Sequence, residues 1–270
     1  MLTLIEEVEA HAAERLVLAE GQTPAAELAR YKRFLKDEAA RLKKLHRGGG
    51  LGREVCRARA AVMDALIRHL LDTAIGLAPL GKFKSPPAIA VVAIGGYGRA
   101  ELNPQSDIDI LFLCDDRLLA KPKPEEFLKS ITDTVLYTLW DVGLKIGHSV
   151  RRVRDCVAEA NKDMLSKTAL IESRRVAGDE SLFEKMEQAV HAKCVKPHVT
   201  DYIAARLEDQ AARRAKHGNA VTMQEPNIKN GCGGLRDYQN LHWMMHFREG
   251  FRMMEDLEAR KVVTKAEAER

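Results

Sequence analysis

Residues Ile94–Leu113, IGGYGRAELNPQSDIDILFL, decide how this chain is read. They join two apolar runs, Ala88–Ile94 (AIAVVAI) between Pro87 and Gly95, and Asp107–Leu113 (DIDILFL). Short continuous apolar runs bounded by turn residues predict buried strands. Gly95 and Gly96 end the first run, and without Cβ atoms they let backbone amides come close to phosphate oxygens. Asp107 and Asp109 open the second. A strand repeats every two residues, so both carboxylates should share one face, with Ile108 and Ile110 pointing the other way into packing. Two carboxylates on one face repel each other unless a divalent cation sits between them. Magnesium takes carboxylate and phosphate oxygens, so a nucleoside triphosphate would complete its shell. Such a site positions a phosphate for in-line attack and stabilises the leaving pyrophosphate. Either motif alone says little. Together, on adjoining apolar strands, they point to a metal-dependent nucleotidyltransferase.

The flanking sequence is helical. In Ala25–Leu42 apolar residues recur at three- and four-residue steps (Ala25, Leu28, Tyr31, Leu35, Ala39, Leu42). Gly48-Gly49-Gly50 breaks that helix, and a second is expected from about Arg53 to Ala78, with Val62, Leu66, Leu70 and Ile75 on its buried face. Beyond the second strand the pattern predicts a helix over 125–140, a short strand Leu144–Val150, and helices over 153–160, 180–192, 198–216 and 235–251. Glu225–Gly234 (EPNIKNGCGG) is a glycine-rich loop between helices. The expected fold is therefore mixed α/β or α+β: a small mixed sheet over 81–178, an N-terminal helical segment over 1–80 and a C-terminal helical bundle over 179–270. The nucleotide is expected between the sheet and the C-terminal helices, with Glu225–Gly234 on the rim of the cleft.

Composition narrows the class. Among 270 residues, 43 Lys and Arg oppose 39 Asp and Glu, for a net charge of +4, with both signs mixed along the chain. A protein whose main ligand is nucleic acid carries a denser basic patch, whereas a local pocket for a triphosphate needs no large net charge. Five scattered cysteines (Cys56, Cys114, Cys156, Cys194, Cys232) contain no CxxC pair, which argues against a zinc cluster or disulfide framework and for reduced thiols in the cytoplasm. Leu2–Ile5 is followed at once by Glu6 and Glu7, unlike a signal peptide, and the apolar runs are too short to span a membrane.

Gly95-Gly96 followed by Ser106-Asp107-Ile108-Asp109 resembles the DNA polymerase β-type nucleotidyltransferase superfamily. More narrowly, GGYGRAELNPQSDIDILFL resembles the N-terminal catalytic domain of the GlnD family, bacterial uridylyltransferases of the PII nitrogen signal protein. Leu144–Arg151 (LKIGHSVR), Thr168–Asp179 (TALIESRRVAGD) and Glu225–Asp237 (EPNIKNGCGGLRD) agree with that family, while residues 1–80 share only its helical character. The resemblance implies that Gly95 and Gly96 lie against the nucleotide, with Ser106 nearby, and that Asp107 and Asp109 hold magnesium. It implies transfer of UMP from UTP to a tyrosine hydroxyl of PII, releasing pyrophosphate. That family continues into an HD-type hydrolase domain and two ACT domains. This chain has no His-Asp doublet, so a fragment is expected to hold the transfer activity without the uridylyl-removing one, and a complete protein to be regulated differently.

Other residues carry two readings. The superfamily usually adds a third carboxylate on a later strand, but Leu144–Val150 offers Gly147, His148 and Ser149 instead; Glu172 and Asp163 are candidate substitutes. His148 would orient phosphate or the attacking hydroxyl, or serve structurally. Arg99 would pair with phosphate, or with Glu101 or another acid. Lys229, beside the glycines of its loop, suits a triphosphate oxygen or a base contact, and Asp237 a capping role. Arg206, Arg213 and Arg214 read as a solvated face, and His242, Trp243 and His246 as packing. Three alternatives remain. One is an adenylyltransferase of the glutamine synthetase type, whose third strand ends in Asp-x-Arg-Leu-Arg-Pro where this chain has His148-Ser149-Val150-Arg151. The second is a nucleotide-sensing module without turnover. The third is a helical scaffold with a vestigial core.

Overall fold

The computed structural model describes residues 3–120, 125–220, 222, 224–251 and 258–268. Leu2, and the last two residues of the Arg260–Arg270 tail, lie outside the described residues. The contacts divide the chain into two compact units, Met1–Glu159 with Ala169–Gln188, and Ala160–Thr168 with Ala189–Arg270.

The first unit opens with three helices: α1 (Leu4–Arg15), α2 (Leu28–Arg47) and α3 (Gly52–Leu77). Thr3 starts α1 through a reciprocal capping box with Glu6. Gly49, at φ +94°, turns the chain between α2 and α3 in a backbone region that favours glycine. α3 is buried on most of its circumference, from Val55 through Ala74. It packs against α1 and α2, and against β4 (Arg174–Gly178) and α5 (Glu126–Asp141). Away from its ends, only a narrow strip of α3, with Arg68 and Asp72, faces solvent, so the helix sits in the middle of the core. Val8, Tyr31, Phe34 and Leu66 belong to the same apolar cluster as Val91, Ile110 and Phe112 of the sheet.

The sheet is mixed, with strand order β3-β2-β1-β4. β1 (Ile89–Ala93) runs antiparallel to both β2 (Ile108–Cys114) and β4, and β2 runs parallel to β3 (Ile146–Arg151). β1 is buried at every position and β2 at every position but Asp109, which is why both read as near-continuous apolar runs. β4 was not foreseen. Its sequence, RRVAG, starts with two arginines, and its pairing with β1 shifts register between Val91 and Val92. Between the strands lie the single helical turn α4 (Gly95–Gly98) and α5. Helices α6 (Val153–Lys162), α7 (Met164–Ile171) and α8 (Glu180–Val190) follow β3 and β4.

In the second unit, α9 (Val199–His217) packs on α10 (Leu235–Glu249). The rings of Tyr202 and Phe247 stack at 3.6 Å. The reading of Arg206, Arg213 and Arg214 as a solvated face is overturned here. Arg206 is 1% exposed, lies 4.5 Å from the Trp243 ring centroid, and donates to Asn240 Oδ1 at 2.7 Å and Asp209 Oδ2 at 2.9 Å. A charge with two anchored acceptors and an aromatic face tolerates burial, and the facing helix α10 supplied Asn240 and Trp243. Arg213 and Arg214 both pair with Asp237. Trp243 is buried, as packing requires, and so are Cys114, Cys156 and Cys194. Among the described residues no helix is long and apolar enough to cross a membrane.

Candidate active site

The ends of β1 and β2 build the site. Ile94 leaves β1 and donates its N–H to Asp109 O at 3.1 Å, so the glycine turn begins beside the acidic start of β2. Gly95 sits at φ +60°. Gly95, Gly96 and Tyr97 open the helical turn α4, where amides have no intrahelical acceptor. A Cβ placed on Gly95 would lie 4.0 Å from Asp109 Oδ2. Asp107 and Asp109 flank the buried Ile108 and are both exposed, so they share the face opposite Ile108 and Ile110. Partial burial raises the Asp109 pKa above its ordinary value, and the neighbouring Asp107 charge raises it further. Ionisation of Asp109 therefore costs more here than in water, a cost that a positive charge beside it would offset. Two clustered carboxylates next to open glycine amides fit a hard divalent cation, which needs few protein ligands when phosphate oxygens supply the rest. Ser106 is exposed one residue before Asp107, its N–H donating to Asn103 O at 3.0 Å.

Among the described residues there is no group of three or more His, Cys, Asp or Glu that could hold a metal ion. The two candidates for a third acid are engaged elsewhere. Glu172 Oε1 accepts from Arg99 Nη1 at 2.6 Å, and Asp163 Oδ1 accepts from Ser166 N at 2.8 Å at the start of α7. Arg99 also donates to Glu101 Oε2 at 3.0 Å, so it meets two carboxylates. Burial alone would lower its pKa, but the Glu172 and Glu101 charges outweigh that and raise it. His148 does not face the site. It pairs in register with Ile110, on the opposite side of the sheet from Asp109, and packs edge-on against Trp140 at 5.6 Å. Register sets this, because one residue along a strand reverses the face.

One supporting network carried no motif. Asp64 on α3 accepts from Tyr97 Oη at 2.7 Å and from both Arg174 terminal nitrogens, at 2.7 and 3.0 Å. Arg174 also donates to Tyr97 O at 3.3 Å. Tyr97 is fully buried inside the glycine turn, and burial together with the Asp64 charge raises its phenol pKa well above the usual value. These three residues tie the turn to α3 and β4, yet they are 33 and 77 positions apart in sequence and share no local pattern.

The glycine-rich loop belongs to the second unit. Asn227 Oδ1 accepts from the N–H groups of Lys229 and Asn230, and Asp237 Oδ2 accepts from Gly233 N. Gly231 and Gly234 leave no room for a Cβ beside the carbonyls of Asn227 and Ile228. Lys229 is exposed on this loop. Burial would raise the Asp237 pKa, but donors from Gln210, Arg214 and Gly233 outweigh it and bring it down to about 2. Its folded pKa lies below the unfolded value of about 3.9, so its stabilisation is present above about pH 4 and fades as pH falls toward 2. Asp237→Asn should therefore cost about 2 kcal/mol at pH 6, with the gap to wild type narrowing as urea melts are taken toward pH 3. An unchanging gap would show that the charge does not hold the loop.

Comparison with known proteins adds the family. Residues 201–270 match the model of the GlnD PII-uridylyltransferase family, and residues 2–139 match that of glutamate-ammonia ligase adenylyltransferase. Curated relatives are named bifunctional uridylyltransferase/uridylyl-removing enzyme. The one from Azospirillum brasilense is 35% identical over 242 residues, covering 89% of this chain and 25% of the relative. Those from Rhodopseudomonas palustris and Erythrobacter litoralis are 35% and 37% identical, covering 80% and 72% of this chain and 23% and 20% of their own lengths. The chain thus spans no more than a quarter of the curated relatives it matches.

Proposed function

The chain belongs to the GlnD PII-uridylyltransferase family, and from that premise we propose that it is a magnesium-dependent nucleotidyltransferase that moves UMP from UTP to a tyrosine of a PII-type signal protein. The observation that supports this most is the meeting of Gly95 with Asp109 at the mouth of the sheet, with Asp107 on the same face. Asp107 and Asp109 would hold the cation. The amides of Gly95 and Gly96 would donate to phosphate oxygens, and Ser106 lies within the same turn-to-strand segment. Arg99 braces the turn through Glu101 and Glu172 and is the candidate phosphate partner there. Lys229 is an exposed cation on the glycine-rich loop of the second unit. A magnesium ion held by Asp107 and Asp109 would neutralise the charge that builds on the leaving pyrophosphate. The residues' own contribution is alignment: the α-phosphate is held in line with the acceptor hydroxyl, and little further chemistry is required.

The match of residues 2–139 to the adenylyltransferase family supports a second reading, in which the nucleotide is ATP. One assay separates the readings. Purified chain is incubated with magnesium, UTP or ATP, and a PII-type protein, and pyrophosphate release and acceptor mass are followed. Release with UTP, with a uridylyl adduct on PII tyrosine, is the expected result. Release with ATP alone favours the adenylyl reading. Saturable binding in a thermal-shift panel of UTP, ATP, CTP and GTP, without release from any, means that the site senses rather than transfers.

A further inference from the structure

Asp109 lies between two positions that lack a Cβ. On one side is Gly95, across from Oδ2. On the other is Gly147, its partner in the parallel pairing of β2 with β3. A Cβ on Gly147 would fall well inside van der Waals contact with Asp109 Oδ1, and would meet Asp109 Cγ at 3.4 Å and Asp109 Cα at 4.0 Å. All three of its nearest atoms thus belong to Asp109. Gly95 has a backbone reason to be glycine, its φ of +60°. Gly147 has none, because it is not among the residues with positive φ and lies in a regular strand that other residues enter more readily. What its position requires is space.

We propose that Gly147 is a positioning residue: its bare Cα forms the wall that lets the Asp109 carboxylate stand beside Gly95, and any side chain there turns that carboxylate out of the metal-binding arrangement. The inference rests on the reading of Asp109 as a metal ligand given above. It also accounts for the missing third acid. The β3 position directly opposite Asp109 is filled by the Asp109 carboxylate, so an acidic side chain there would displace the ligand it is meant to assist. Because the displaced atom is the end of a side chain and not backbone, the substitution should disturb function far more than fold.

The test compares wild type, Gly147→Ala, Asp109→Ala and the double variant. Manganese binding is read by electron paramagnetic resonance, melting temperature is taken without metal, and turnover is measured with UTP. Gly147→Ala should weaken manganese binding at least about tenfold and turnover about a hundredfold, as a misplacement of about 1 Å does. Its metal-free melting temperature should stay within about 2 °C of wild type. In the Asp109→Ala background the same substitution should change neither binding nor stability, since the obstructed group is gone. A Gly147→Ala protein that binds manganese like wild type overturns the proposal. So does an effect of equal size in both backgrounds, including a failure to fold in both, because Gly147 would then act on something other than Asp109. Wild type that binds neither manganese nor UTP removes the metal-site reading itself, a separate result that also ends the proposal.

Discussion

Asp109→Asn should lower nucleotidyl transfer at least about a thousandfold, the loss of roughly 4 kcal/mol of transition-state stabilisation, while leaving the metal-free protein no less stable than wild type. The two halves of this expectation have one cause. Partial burial and the Asp107 charge raise the Asp109 pKa, so the fold disfavours the ionised carboxylate that a cation needs. The sign follows from that direction. A carboxyl whose folded pKa lies above its unfolded one is a strain on the fold at neutral pH, relieved as pH falls through the folded value. A neutral amide removes the strain and the cation site together. Metal titration and thermal melts on the same samples check both halves. A variant that keeps a tenth of wild-type transfer, or that melts well below wild type without metal, would mean that Asp109 is a structural residue. For the same reason, protons should compete with the cation at a pH somewhat above that of an ordinary aspartate.

Asp64→Ala should have the largest effect on stability, about 3 kcal/mol and a fall of about 10 °C in melting temperature. Asp64 receives Tyr97 and both terminal nitrogens of Arg174, and Arg174 Nε is already a buried donor with no partner. Without Asp64 the guanidinium stays between α3 and the turn with its charge uncompensated, which costs more than the pair was worth. The turn then loses the anchor of Tyr97, so nucleotide affinity should fall although Asp64 touches no phosphate. Asp64→Asn, which keeps the shape and one acceptor, should fall between wild type and alanine. Calorimetry together with nucleotide titration would show it. Equal melting temperatures for wild type and Asp64→Ala would show that α3 does not hold the turn.

What could be read in the primary sequence was whatever depends on near neighbours. The apolar runs of β1 and β2 announced buried strands, Gly95-Gly96 lay in one turn and Asp107-x-Asp109 at the head of one strand, and helical periods located α2, α3, α5 and α8–α10 to within a few residues. Local spacing determines all of these, because strand and helix periods fix which side chains share a face. β4 escaped because a strand that begins with two arginines has no apolar alternation, and only its pairing with β1 and the contact of Arg174 with Asp64 make it a strand. The face of His148 depended on register, and the burial of Arg206 on a helix 34 residues away. The space Gly147 leaves for Asp109, and the clamp of Asp64 on the glycine turn, arise only when distant segments are brought side by side. A sequence displays the groups that perform chemistry, since these must be of particular types at short spacing. The groups that hold them in place are chosen by contact across the fold, and contact carries no fixed spacing.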